Sequence, residues 1–140
     1  MKNYVIDASV VTKCFIIEDY SDKATETINA HIKGHISLSA PSLIIYELGN
    51  VFWKHPQVNP EKAYTYIKKF LDLQIKLVDI QSNNKILKTT CQISENRSVT
   101  FYDASYLALA KESKTKLITA DEPLHKKAPN GTLLLKDFKI

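Results

Sequence analysis

Short apolar runs alternate with longer segments whose apolar residues recur at helical spacing, from one end of the chain to the other. Residues 3–6 (NYVI) form the first run, closed by Asp7, and predict a short buried strand. Similar runs at 36–39, 75–79, 116–119 and 132–135 predict four more strands. The segments between them carry helix punctuation. Ser9 predicts a cap for a helix through about Glu18, and Ser21 opens SDKATETINAHIK, closed by Gly34. Pro41 is expected in the first turn of PSLIIYELGNVFWK, which Pro56 ends. Asn59-Pro60 opens PEKAYTYIKKFLDL, and Ser82 or Asn83 opens a helix to about Glu95. After the polar turn at 95–98, FYDASYLALAKE reads as a helix, and a short helix joins the last two strands. Short apolar strands alternating with helices imply an α/β fold whose parallel sheet, of about five strands, is covered on both faces. Neither a repeat nor a linker interrupts the pattern, so residues 1–140 are expected to form one domain.

Composition narrows the class without changing that picture. The chain has 140 residues, 44% of them hydrophobic, with only 3 Gly and 5 Pro, which excludes collagen-like and low-complexity architectures. No apolar run approaches the ~18–20 residues of a membrane-spanning helix. The N-terminal apolar stretch is too short, and too soon interrupted by Asp7, for a secretory signal, so a cytoplasmic location is expected. Cys14 and Cys91 form no C-x-x-C pair and are expected as core thiols without a disulfide. His31, His35, His55 and His125 show no zinc spacing. The net charge is +4, and residues 54–88 carry seven Lys against three acids. A basic excess suits a polyanionic partner, yet many ordinary proteins share it.

The acids carry the chemistry. In an open parallel sheet, ligands bind beyond the carboxyl ends of the strands. Asp7 directly follows the first strand, and Asp121 lies two residues beyond Thr119 at the end of the fourth. Either one alone reads as a loop or capping Asp. Glu47 lies inside the apolar helix SLIIYELGNVFW, where a carboxylate is costly unless it is paired, binds a cation or reaches solvent. Asn50, three residues on, can face the same side. Asp103 stands in the first turn of an apolar helix, where the helix dipole also favours it. Several carboxylates in one crevice must protonate or share a cation. Carboxylate oxygens with water favour Mg²⁺ or Mn²⁺, which assist attack on a phosphodiester.

The ordered fragments YVIDASVV, IIYELGNVFWK, VTFYDASYLALA and KLITADEPL make the whole chain resemble the PIN-domain ribonucleases, in particular the toxins of VapBC-type toxin–antitoxin pairs. The resemblance implies a PIN-like three-layer fold, with a twisted parallel sheet of about five strands between helices. It implies Mg²⁺- or Mn²⁺-dependent cleavage of RNA, homodimerisation and neutralisation by a cognate antitoxin. The family's acids carry over to Asp7, Glu47, Asp103 and Asp121 as catalytic residues and metal ligands, with Glu47 as a ligand or as the base that orients water. Asn50 matches the Asn that follows the helical Glu, and Thr119 matches the hydroxyl residue before the last Asp. Leu124 stands where relatives often carry Phe, and Arg97 is the only Arg, so Lys must supply most phosphate contacts.

Supporting residues have two readings each. Ser9 caps a helix or contacts a water held by the metal. Thr119 is an ordinary strand residue or orients Asp121. Tyr46 and Trp53 are expected in helix packing, with base stacking as the alternative. Lys13, Lys54, Lys126 and Lys127 are solvated lysines or line an RNA path. The second helix and the helix from Pro60 are candidate antitoxin surfaces. A haloacid-dehalogenase-type phosphatase would need an acid at Ser9, and a receiver domain would need an acidic pair beside Asp7. The remaining alternative is an inert PIN-like binding module, which would be expected to lack one or more of the four acids.

Overall fold

A computed structural model describes all residues, Met1–Ile140. Strands β1 (Lys2–Ile6), β2 (Ile36–Pro41), β3 (Lys76–Val78), β4 (Leu117–Thr119) and β5 (Thr132–Leu134) form one sheet in the order β3-β2-β1-β4-β5. All four pairings are parallel, with Tyr4 opposite Leu38 and Ile6 opposite Ile118. Seven α-helices flank it: α1 (Ala8–Val11), α2 (Ser21–Ile32), α3 (Ile44–Lys54), α4 (Pro60–Asp72), α5 (Asn84–Arg97), α6 (Phe101–Glu112) and α7 (Glu122–Lys127). The α/β alternation and the five-stranded parallel sheet expected from the apolar runs are therefore present. No helix is long and apolar enough to cross a membrane.

The chain runs from β1 outward to β2 and β3, then returns to place β4 on the other side of β1. The carboxyl ends of β1 and β4 thus flank the switch point where an open sheet leaves a crevice. Val5, Ile6, Leu38, Ala40, Leu117 and Ile118 have no exposed surface and form the centre of the core. Helix α6 packs on β1, β2 and β4 and buries every residue from Ala104 to Ala110, so its small and apolar residues serve all sides at once. Phe15, Phe52 and Tyr66 form an aromatic cluster with ring centroids 5.1–5.9 Å apart, joining the segment after α1 to α3 and α4.

Several local expectations are corrected. The helix expected through Glu18 ends at Val11 and tightens into a 3₁₀ turn over Thr12–Cys14. Phe15 leaves it for the aromatic cluster, and Ile17 is 95% exposed, so no apolar stripe sustains a longer helix. The cap of α1 is Asp7, which accepts from the Ser9 N–H; Ser9 lies in the first turn. Pro41 is the last residue of β2, opposite Val78, and not a helix start. Its missing N–H is harmless at a strand end, and Ser42 resumes the pairing by donating to the Val78 carbonyl at 2.9 Å. Asn59 and Asn83 cap α4 and α5 through their side chains. The core-thiol expectation fails for Cys91, which is exposed because α5 buries Ile86, Thr89 and Thr90 instead. Cys14 is half-buried, and burial pushes its thiol up to about 11.

Candidate active site

The four acids stand at the starts of four helices. Asp7 is the N-cap of α1 and Asp121 the N-cap of α7, whose Leu124 N–H donates to it at 3.0 Å. Glu47 lies in the first turn of α3 and Asp103 in the first turn of α6, which Thr100 caps. Each carboxylate therefore sits at the positive end of a helix, which offsets part of their mutual repulsion. Their neighbour relations form a chain. The charge of Glu47 bears on Asp7, that of Asp103 on Glu47, and that of Asp121 on Asp103.

Asp7 is the most constrained. It is buried at the end of β1, and desolvation pushes its carboxyl up to about 6, opposed by hydrogen bonds from Ser9 and Thr119. Oδ1 accepts from both the backbone N–H (3.0 Å) and the hydroxyl (2.5 Å) of Ser9. Oδ2 accepts from the Thr119 hydroxyl at 2.5 Å. The same hydroxyls tie in the next strand: Ser9 Oγ accepts from the Ala120 N–H, and Thr119 Oγ1 accepts from the Asp121 N–H. Thr119 thus holds the Asp7 carboxylate and the Asp121 backbone together across the switch point. It does not touch the Asp121 carboxylate.

Glu47 is raised above the ordinary carboxylate range, first by burial and then by Asp103. Its Oε1 accepts from the hydroxyl of Tyr106 at 2.6 Å. Tyr106 is fully buried, and desolvation together with Glu47 pushes its phenol far upward, so it stays protonated as a donor. The sequence pattern gives Tyr106 no role beyond membership of the FYDASYLALAKE helix. The available signal was its spacing, three residues after Asp103 on the same helix face. Asp103 is raised by burial and by Asp121, and lowered by Thr100 and Lys127. Lys127 therefore belongs to the site's surroundings; its ammonium donates to the Ser98 carbonyl at 2.9 Å.

The remaining candidates divide. Asn50 is exposed and lines an open depression with Glu47. Tyr46 and Trp53 are 81% and 77% exposed, which overturns their expected role in helix packing. Their positions on α3 point away from the stripe of Ile44, Leu48 and Phe52 that meets the core. Lys13 is engaged with Glu18 at 3.2 Å.

Could this donor set hold a divalent ion? Its chemistry fits, with four carboxylates and hydroxyl-anchored orientation. No three of the carboxylates converge tightly enough to ligate one ion between them. That spacing suits Mg²⁺, which keeps several waters and is held by one or two carboxylates plus substrate phosphate.

The PIN-domain family model matches residues 4–129. Ribonuclease VapC3 of Pyrobaculum aerophilum is 28% identical over 128 residues, covering 89% of this chain and 94% of the relative. Exonuclease VapC9 of the same organism is 31% identical over 124 residues, covering 86% and 82%. A crystal structure of a Pyrobaculum aerophilum protein superposes with a TM-score of 0.71 at 28% identity, covering 96% of this chain and 85% of that one. A toxin–antitoxin complex from Klebsiella pneumoniae gives a TM-score of 0.69 at 13% identity over 98% of this chain and 99% of its own, a likeness of fold.

Proposed function

The chain belongs to the PIN-domain family, and on that premise we propose that it is a divalent-metal-dependent endoribonuclease, the toxin of a toxin–antitoxin pair. One observation carries this reading: four helix starts bring Asp7, Glu47, Asp103 and Asp121 to the switch point between β1 and β4, where each bears on the next. A divalent ion, Mg²⁺ or Mn²⁺, held by one or two of these carboxylates would supply positive charge to phosphoryl oxygens and make water more acidic. The chain's own groups do the rest. Ser9 and Thr119 fix both oxygens of Asp7, so that carboxylate needs no reorganisation when substrate arrives. Tyr106 occupies one oxygen of Glu47, which leaves the other to orient the attacking water and take its proton. Lys127, beside Asp103, is placed to meet substrate phosphate.

The family premise also supports a homodimer and a small antitoxin partner. Trp53 on α3 and Tyr64 and Leu71 on α4 leave apolar surface exposed on two helices that pack together. Helix α2, the other surface suggested by the sequence, exposes a large apolar residue only at its end, Ile32. This favours the α3–α4 face for a partner.

The decisive experiment uses circular and linear single-stranded RNA with the wild type and Asp103→Asn, in Mg²⁺ or Mn²⁺ and in EDTA. Circular RNA has no ends, so its cleavage requires an endonuclease. Wild type is expected to cut both RNAs only with metal, and Asp103→Asn to be slower by about 100-fold or more. Cleavage of linear RNA alone would make the chain an exonuclease, and cleavage by Asp103→Asn at the wild-type rate would refute the acidic mechanism.

A further inference from the structure

An open depression of ≈ 530 Å³ adjoins the acids and is lined by Leu43, Tyr46, Glu47, Asn50 and Tyr102. Its two rings come from separate elements: Tyr46 from α3, and Tyr102 from the first turn of α6, beside Asp103. They are 81% and 63% exposed, and neither packs against another aromatic ring. Single exposed aromatics are commonplace. Two that share one depression with a site carboxylate and a carboxamide are a different arrangement. Asn50 is one turn beyond Tyr46 on α3, so it faces the same opening.

We propose that Tyr46 and Tyr102 form a stacking site for one unpaired nucleobase of the RNA, with Asn50 hydrogen-bonding the base edge. The inference rests on the nuclease reading above and deepens it. The lining contains no Lys or Arg, and its one charged group is Glu47. Such a lining repels phosphate and suits an uncharged, planar part of the substrate. A volume of this size admits a nucleobase, and any base offers a π-face to a tyrosine ring. The carboxamide carries both donors and an acceptor, matching the mixed edge of a base. A base within a duplex is stacked and paired, so only single-stranded or looped RNA can enter. Because Glu47 belongs to both the depression and the acid chain, a base seated here sets which neighbouring phosphate meets the carboxylates.

The test measures affinity for a short single-stranded RNA in the Asp103→Asn background with Mg²⁺, over times short against its slowed cleavage. Tyr46→Leu and Tyr102→Leu remove the π-face at similar volume, and Tyr46→Phe and Tyr102→Phe keep it. Each Leu variant is expected to bind about 5- to 150-fold more weakly, the range that base–aromatic stacking spans. Each Phe variant should stay within about twofold of the parent, which also guards against a folding defect. An RNA with one abasic ribose at the seated position should bind the parent as weakly as intact RNA binds the Leu variants. If the parent binds RNA and the Leu variants bind it equally well, the stacking site is wrong and the nuclease reading survives. If the parent binds no RNA, both fall. If the Leu variants keep RNA affinity but lose a co-purifying antitoxin, the depression is a protein dock and the proposal is overturned.

Discussion

A buried carboxylate with three hydrogen bonds is held in place but not fully compensated, and Asp7 shows the consequence. Its carboxyl is pushed from 3.8 to about 6, so the folded chain holds that proton more tightly than the unfolded chain. Between about pH 4 and 6 the folded state binds more protons, and stability falls as pH rises through that window, by up to about 3 kcal/mol. Asp7→Asn stays uncharged, and Asn caps a helix about as well as Asp. In EDTA above pH 6 the variant should melt above wild type, and the difference should vanish near pH 4. Melts at several pH values check this; a variant less stable than wild type at pH 7 would show that the ionised carboxylate holds the fold. Tyr106 tests a neighbouring link. Tyr106→Phe keeps the buried ring and removes the donor to Glu47. Residues that orient a ligand side chain typically affect metal affinity or activity by about 10–100-fold. Loss in that range, read by Mn²⁺ titration and RNA cleavage with the protein still folded, is the expected result.

At the scale of elements, the joint between β1 and β4 does more than pair two strands. Two hydroxyls, from Ser9 and Thr119, bridge the carboxylate at the end of β1 to the backbone after β4. Thr119 is fully buried. Thr119→Val preserves shape but leaves the Asp121 N–H and one Asp7 oxygen without that partner, at a cost of about 1–3 kcal/mol. Thermal unfolding should show the loss, and cleavage per folded molecule should fall as well because Asp7 is freed. Unchanged cleavage would mean that the hydroxyl serves only the joint. Most elements were legible in the sequence because their signals are local: Asn59 before Pro60, Asn83 before a helical stripe, the apolar runs of the strands. The failures are equally specific. Asp7 outcompeted Ser9 as a cap, and Pro41 fell to β2, because Val78 of a distant strand pairs with that segment.

For the whole molecule, the net charge of +4 includes four acids gathered at one site, so the rest of the surface is more basic than the total suggests. RNA affinity of the slow-cleaving Asp103→Asn variant should therefore fall with salt. Each neutralised phosphate of a single strand contributes about −0.7 to the slope of log K against log salt. Binding isotherms between low and physiological salt measure that slope, and a flat response would overturn the polyanion reading.

The sequence alone determined the alternation of strand and helix, because binary patterning is written residue by residue. It also marked the four acids, since a carboxylate at a strand end or within an apolar helix stands out against its neighbours. Tertiary structure decided what those residues meet. Strand order placed β4 beside β1 and so brought the Thr119 hydroxyl to Asp7, with the Asp121 N–H donating to the same hydroxyl. Packing of α6 carried the Tyr106 hydroxyl to Glu47, 59 positions away in the chain. Tyr46 and Tyr102 came to face one opening rather than the core. These contacts join residues far apart in sequence, and no local pattern records a distance that only the assembled sheet and its docked helices create.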